Sequence, residues 1–400
     1  MDMNGADVVA LAQRLVRAQS VMGNEGIAAD VAEDAMRNLG YDEVWRDDLG
    51  NLIGAIGGGR GGAVVLDGHL DVVDPGNLAA WRVDPFAGEV IDGELHGRGA
   101  VDMKGPLAAM ITGAALLRER PRHARRTVFV SCTVGEETVE GLALRPVLER
   151  LRPDAVIIGE PTGGQIAVGQ RGRAEIVVEA LGRGAHSAYP AEGRNSAEAM
   201  ADLIVAFRGV VLPTDELLGS ASLVLTEVTS FPNPSSSTIP HLTRAVYDRR
   251  LLPGETPQAV LAPLRAVAGA GRSSCRVFIA RAALVTYRGA SLAGEKFAPA
   301  WKLPPDHPLI DASVKALQTV GLVVDRKVYA TCTNGSASAG WLGIPTIGYG
   351  PGQNERSHTT DEAIAVWELE QAVLGYAALS WGAATASFLP PLAPLDQRAP

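Results

Sequence analysis

Cysteine is scarce. Three in 400 residues, Cys132, Cys275 and Cys332, are too few and too far apart for a disulfide framework or a thiolate zinc knot. They read as small buried hydrophobes in a reducing compartment. Positive charge is also short, with 36 Lys and Arg against 45 Asp and Glu and a formal net charge of -9. That balance favours solubility and argues against a nucleic-acid surface. No apolar stretch is long enough to span a bilayer. The N-terminus carries Asp2 and Asp7 and lacks the basic and apolar regions of a secretory leader. The expectation is a cytoplasmic protein without nucleic-acid or membrane partners. The glycine-rich run from Gly57 to Gly62 has no Lys-Ser/Thr after it, so it reads as a loop rather than a phosphate cradle. No internal repeat is visible.

What the chain does have is acid placed at the ends of apolar runs. Val64-Val65-Leu66 leads into Asp67-Gly68-His69-Leu70-Asp71, and on a strand His69 and Asp71 face the same way. Residues 127–134 form a second apolar run, ending at Gly135-Glu136-Glu137, and residues 155–158 a third, ending at Gly159-Glu160. Asp102 lies in the glycine-bearing stretch 97–105, just before an apolar helix whose first turn takes Pro106. Strands alternating with helices predict an α/β protein with a mixed, mostly parallel sheet sandwiched by helices.

The texture changes near Gly172. The order strand-helix-strand-strand-helix-strand then describes a small open-faced sandwich, read as an insert. The expected division is a catalytic domain over 1–171 and 285–382, an inserted domain over 172–284, and a flexible tail over 383–400.

The candidate site is His69, Asp102, Glu136, Glu137, Glu160 and His358. Buried acids are expensive unless paired or on a metal, and imidazole with carboxylate suits zinc, and also cobalt or manganese. An acid shared by two cations, with one His and one further carboxylate on each, makes a two-metal site. A carboxylate that is not a ligand must still move the proton of the attacking water, and adjacent Glu136 and Glu137 can divide the two jobs. Asp71 could hydrogen-bond the His69 ring and fix its tautomer. His96, His123, His241 and His307 read as structural or solvated, and Cys132 as packing.

In this setting GHLDVV, GRGAVDMKG, GEE, GEPT and SHTTDE, in that order, resemble the signatures of the dizinc aminoacylases and carboxypeptidases. That family includes acetylornithine deacetylase, succinyl-diaminopimelate desuccinylase and carboxypeptidase G. Ser20-Val21-Met22-Gly23-Asn24-Glu25 resembles its N-terminal element, so the likeness runs from about residue 7 to 380. Gly169-Gln170-Arg171-Gly172-Arg173 and Tyr247-Asp248-Arg249-Arg250 look most like the branch linked to selenium metabolism.

The resemblance implies a zinc-exopeptidase-like fold with a ferredoxin-like lid that also dimerises. It implies two divalent ions per chain, zinc first. His69 and Glu160 would hold one ion and Glu137 and His358 the other, with Asp102 between them and Glu136 as general base. It also implies a cis peptide after Asp102. His186, in Gly184-Ala185-His186-Ser187, resembles the residue that reaches the partner subunit's site to steady the oxyanion. Arg250 resembles the residue that binds a substrate carboxylate.

Two departures fall on the substrate pocket. Ser237 stands where the family often has Asn, and Thr333-Asn334-Gly335-Ser336 replaces a Gly-Thr-Asp/Ser loop, so Ser237, Asn334 and Gly335 are expected to touch substrate. The function implied is hydrolysis of the amide bond of an N-acyl amino acid or small peptide with a free carboxylate, by a homodimer paired through the insert. The alternatives are an aminopeptidase or dipeptidase with the same metals, and a binding protein that keeps the fold without turnover.

Overall fold

The computed structural model describes residues 5–57, 62–119, 126–270 and 274–385. Residues 58–61 of the glycine-rich run, His123 and the tail from 386 lie outside the described residues.

The three apolar runs become neighbouring strands. Thr127–Thr133, Ala63–His69 and Ala155–Ile158 lie side by side and run parallel. Ala63–His69 is buried along its whole length, which is why its sequence lacks the alternation of a half-exposed strand. Register sets His69 opposite Thr133 and Asp67 opposite Ile158. The chain therefore leaves all three strands at one edge of the sheet, where ligands of α/β proteins collect.

Thr346–Gly348 extends the parallel centre beside Ala155–Ile158. Toward the edges antiparallel pairs enter, with Glu43–Arg46 and Leu52–Ile56 on one side and Trp301–Lys302 against Ile166–Gln170 on the other, where Arg326–Tyr329 also pairs parallel with Ile166–Gln170. Parallel pairing is thus narrower than the expected mostly parallel sheet. The five residues between Arg46 and Leu52 are too few for a crossover, so those two strands must return antiparallel.

Helices cover both faces. Lys104–Ala115 is buried at every position, so it shows no polar face; it packs against both the sheet and the long helix Val366–Thr385. A Cβ on Gly113 would meet the Val373 carbonyl oxygen at 2.5 Å, so only glycine lets the two helices approach so closely. Leu144–Leu151 closes the other face over Ile53, Val65, Val156 and Ile158.

In the insert, Gly172–Leu181, Ser196–Phe207, Ser222–Phe231, Leu242–Leu251, Pro257–Ala270 and Ser274–Ile279 follow one another as strand, helix, strand, strand, helix and strand. The antiparallel sheet order is Ser222–Phe231, Leu242–Leu251, Gly172–Leu181, Ser274–Ile279. Ile176, Val178 and Tyr247 from the sheet pack with Met200, Phe207 and Leu264 from the helices. Asn195 caps the first helix, its side chain accepting from the Ala197 and Glu198 N–H groups.

Arg281–Val285 and Ser291–Glu295 then form a hairpin. Phe297–Ala298 still pairs with Gly172–Leu181, and Trp301–Lys302 joins the large sheet. The expected boundary after 284 falls inside that hairpin. Cys132 is buried, Cys275 and Cys332 are half-buried, and none of the three is in a disulfide. His307 caps the helix Pro308–Gln318 through Nδ1. No helix among the described residues is long and apolar enough to cross a membrane.

Candidate active site

Five segments deliver the candidate ligands. His69 ends its strand, Glu136 and Glu137 follow Thr127–Thr133, and Glu160 follows Ala155–Ile158. Asp102 precedes the helix Lys104–Ala115, and its peptide bond to Met103 is cis. His358 comes from the loop before the last helix, with φ of 62°.

Asp102 stands between two His-Glu pairs. Its Oδ1 lies 3.0 Å from His69 Nε2, and its Oδ2 lies 3.3 Å from His358 Nε2. Glu160 Oε1 is 3.4 Å from His69 Nε2, and Glu137 Oε1 is 3.1 Å from His358 Nε2. Two groups bring their ligand atoms within 4.8 Å of one another: His69 with Glu136 and Glu160, and His69 with Asp102 and Glu137. Glu136 Oε1 is buried without a hydrogen-bond partner among the described residues.

So many buried acids cannot all be charged without cations. Burial pushes Glu136 well above the usual carboxylate range. Burial, with the Asp102 charge adding to it, raises Glu160 and brings Glu137 to about 7. Asp102 goes the other way, because hydrogen bonds to His358 and His69 overcome its burial. Hydrogen bonds to Asp102 and Glu137 raise His358 to about 10. Burial opposes charge on His69, but Asp102 and Glu160 raise it well above the usual value. Nitrogen and oxygen donors at this density fit two divalent ions of the zinc, cobalt or manganese kind.

This crowding makes the metal-free protein pH-sensitive. Glu137 titrates at 4.5 when unfolded and about 7 when folded, and His358 at 6.5 and about 10. In both cases the folded state binds more protons, so stability falls as pH rises through each interval. Asp102 has the opposite slope only around and below its unfolded value of 3.8, and Lys104, lowered by burial from 10.5 to about 7, has it above pH 7. The metal-free melting temperature is therefore expected to fall from roughly pH 5 to 7, and saturating zinc to flatten or reverse that slope. A metal-free melting temperature that is level or rises over the same range would contradict the crowding described.

Asp71 corrects one expectation. The His69 ring is held by the Asp71 main chain: Nδ1 donates to the Asp71 carbonyl oxygen at 2.8 Å, while the carboxylate is 3.6 Å away. A carbonyl can only accept, so Nδ1 carries the proton and Nε2 faces Asp102 and Glu160. The Asp71 carboxylate instead accepts the N–H groups of Glu136 and Glu137, at 3.1 and 3.0 Å. It fixes the backbone of the glutamate pair.

The late glycine-rich loop brings a second correction. The Asn334 side chain is buried; its Nδ2 donates to Asp67 Oδ2 and Thr133 Oγ1, and its Oδ1 accepts from the Gly141 N–H. Gly335 N–H donates to Thr333 Oγ1. Both donors are spent inside the protein, so the expected substrate contacts of Asn334 and Gly335 give way to a brace between the large sheet and the 141 loop.

The insert residues lie elsewhere. His186 and Ser237 are neighbours, since Ala185–His186 pairs with Thr238–Ile239 and Ser187 N–H donates to the Ser237 carbonyl. His186 is exposed; its Nδ1 accepts from the Ala188 N–H, and its ring stands edge-on to Tyr189. Among the described residues, no hydrogen bond or ion pair joins it to the ligand cluster. Arg250 Nε lies 2.9 Å from Asp248 Oδ1. Arg173 spans Asp248 and Glu140, at 2.8 and 3.1 Å. A run of alternating charge thus links the insert to the loop that follows Glu136.

Two further residues, Arg98 of GRGAVDMKG and Glu362 of SHTTDE, belong to the site without any local signal of it. Their contacts tie the Asp102 and His358 loops together.

Residues 65–381 match the model of Peptidase family M20/M25/M40. The chain is 31% identical over 385 residues to the uncharacterized protein YgeY of Escherichia coli (strain K12), with 94% of each covered. It is 32% identical over 393 residues to the succinyl-diaminopimelate desuccinylase of Methylobacterium nodulans, covering 92% of this chain and 94% of that one. Its fold is similar to the crystal structure of aminopeptidase PepT from Bacillus cereus, with a TM-score of 0.71 at 21% identity, covering 96% and 99% of the two chains.

Proposed function

The chain belongs to Peptidase family M20/M25/M40, and on that premise we propose that it is a two-metal deacylase, cleaving the amide bond of an N-acyl amino acid or small peptide with a free carboxylate. The observation that carries the two-metal reading is the division of Asp102, with one oxygen toward each histidine. His69 and Glu160 would hold one ion, Glu137 and His358 the other, and Asp102 would serve both. Two divalent ions held there would supply Lewis acidity for the scissile carbonyl and would lower the pKa of water to ~7.

The remaining steps belong to the chain's own groups. Glu137 is engaged with His358, whereas Glu136 keeps a buried, unpartnered oxygen, so Glu136 is the base. It takes the proton as the water oxygen bonds to the carbonyl carbon. It returns that proton to the nitrogen as the carbon–nitrogen bond breaks. Arg250 offers its guanidinium to the substrate carboxylate, with Asp248 fixing its Nε side. Ser237 lies beside His186 at the rim of the insert.

The insert serves in this proposal as a ferredoxin-like lid and dimerisation domain. Ser222–Phe231 is an edge strand that leaves Val224 and Val228 exposed, which supports pairing with a second copy. The narrower likeness to the selenium-metabolism-linked branch rests on residues 169–173 and 247–250 alone.

The test is a panel of N-acetyl, N-succinyl, N-formyl and N-carbamoyl amino acids set against dipeptides, with metals counted on the same preparation. Turnover of an acylated amino acid is expected with two ions per chain, to vanish on chelation, and to drop roughly 10–100-fold when the substrate carboxylate is esterified. Faster cleavage of dipeptides with free amines would make it an aminopeptidase or dipeptidase. Full activity with one ion or none would remove the two-metal reading.

A further inference from the structure

We infer that the buried Arg98–Glu362 pair is a positioning device for Asp102 and His358, and that it sets the affinity of the ion both residues would hold more than that of the ion on His69 and Glu160, which shares only Asp102. This rests on the ligand assignment proposed above.

The two halves of the site are supported differently. His69 and Glu160 stand at the ends of central strands, where the sheet ladder fixes the backbone. Asp102 and His358 stand on loops with no ladder, so their order must come from elsewhere. Glu362 supplies it. Its Oε1 accepts from the N–H groups of Val101 and of Asp102 itself, at 2.8 and 3.0 Å. Its Oε2 accepts from Arg98 Nη1 at 2.6 Å. Arg98 reaches the His358 carbonyl oxygen through Nη2 at 3.4 Å, and its guanidinium lies 5.1 Å from the Trp81 ring centre. Gly97 N–H donates to the Glu362 carbonyl oxygen at 2.9 Å. Two loops that each carry one ligand are therefore cross-linked through a single carboxylate.

The energetics favour this use over plain stability. Side-chain exposure of Arg98 and Glu362 is 3% and 0%, and desolvating such a pair offsets most of what the attraction returns. Hydrogen bonds that orient ligands from outside are worth about 10–100-fold in metal affinity. Here the orienting bonds reach Asp102 directly and His358 through its main chain. No hydrogen bond among the described residues runs from the pair to His69 or Glu160.

The test is metal titration against a competing chelator, in wild type, Glu362→Gln and Arg98→Lys, with zinc and then cobalt as probe. Wild type is expected to bind two ions. Glu362→Gln should weaken the ion on the His358 side roughly 10–100-fold and the ion on the His69 side, which shares only Asp102, markedly less. Placed in a Glu160→Gln background, the substitution should show its full effect; in a Glu137→Gln background, where that half is already impaired, it should add little. Equal weakening of both ions, equal effects in the two backgrounds, or no change would overturn the inference and leave the two-metal reading standing. A wild type that binds fewer than two ions would overturn both.

Circular dichroism of the metal-free variants reports folding. If Glu362→Gln does not fold, Arg98→Lys decides. It keeps a charge on Glu362 but cannot span Glu362 and the His358 carbonyl together. The same selective loss is expected from it, and its absence overturns the inference.

Discussion

Glu136→Gln is expected to keep both ions and lose at least ~10²-fold in turnover, the scale of a lost acid-base group. The substitution leaves the support intact. The Asp71 carboxylate holds the N–H groups of residues 136 and 137 through the main chain, so an isosteric side chain alters neither the turn nor the Glu137 contact with His358. What disappears is a buried oxygen whose pKa burial raises, the group suited to carry a proton from water to the leaving nitrogen. Glu137→Gln should show the reverse pattern: one ion weakened, and activity recovered in part by excess metal. Turnover by single-turnover kinetics, with metal counted on the same sample, separates the two. If Glu136→Gln lost an ion and kept its rate per bound metal, the roles of the pair would be exchanged.

That His69, Glu136, Glu137 and Glu160 meet at one sheet edge was legible in the sequence for a physical reason. Three buried strands that each end in His or Glu can meet only if they lie parallel and adjacent, and the order Thr127–Thr133, Ala63–His69, Ala155–Ile158 does this. Asp71 was misread because the strand stops at His69. Beyond it the chain turns toward the N-terminal element, with Val72 N–H donating to the Ser20 carbonyl, and two-residue alternation no longer says where a side chain points. Asn334 was misread because polar residues in a glycine-rich loop suggest a ligand contact. Its partners, Gly141, Thr133 and Asp67, lie 193 to 267 residues away in sequence. Glu362 was visible as the last letter of a motif, but its partners are about 260 residues upstream. The hairpin 281–295 has strand-like residues in either domain, and nothing local says which sheet, if any, it joins. Local pattern reveals what an element is and which strand ends carry acid; long-range polar bonds appear only in three dimensions.

His186→Ala should cost ~10²–10³-fold in turnover, the range for a lost oxyanion donor, with little change in metal content. The structure sets the terms. His186 sits on the insert beside Thr238 and Ser237, exposed, and bonded within its own loop. Among the described residues nothing connects it to the Asp102 cluster. A donor so placed acts only if the insert closes over its own site or if it serves a second chain. The exposed edge strand Ser222–Phe231 favours the second route, and pairing about a twofold axis would complete both sites reciprocally. Mixing two inactive proteins decides between the routes. In a dimer of one His186→Ala chain and one Glu136→Gln chain, shared use in trans leaves one site with an intact base and an intact partner histidine, and one site with neither. Random exchange makes half the dimers mixed, so about a quarter of wild-type activity should return. If His186 serves its own chain, each site in the mixed dimer lacks one group and nothing returns. No recovery after subunit exchange has been demonstrated, by mass or by fluorescence transfer between labelled chains, would place His186 in its own site or outside the reaction.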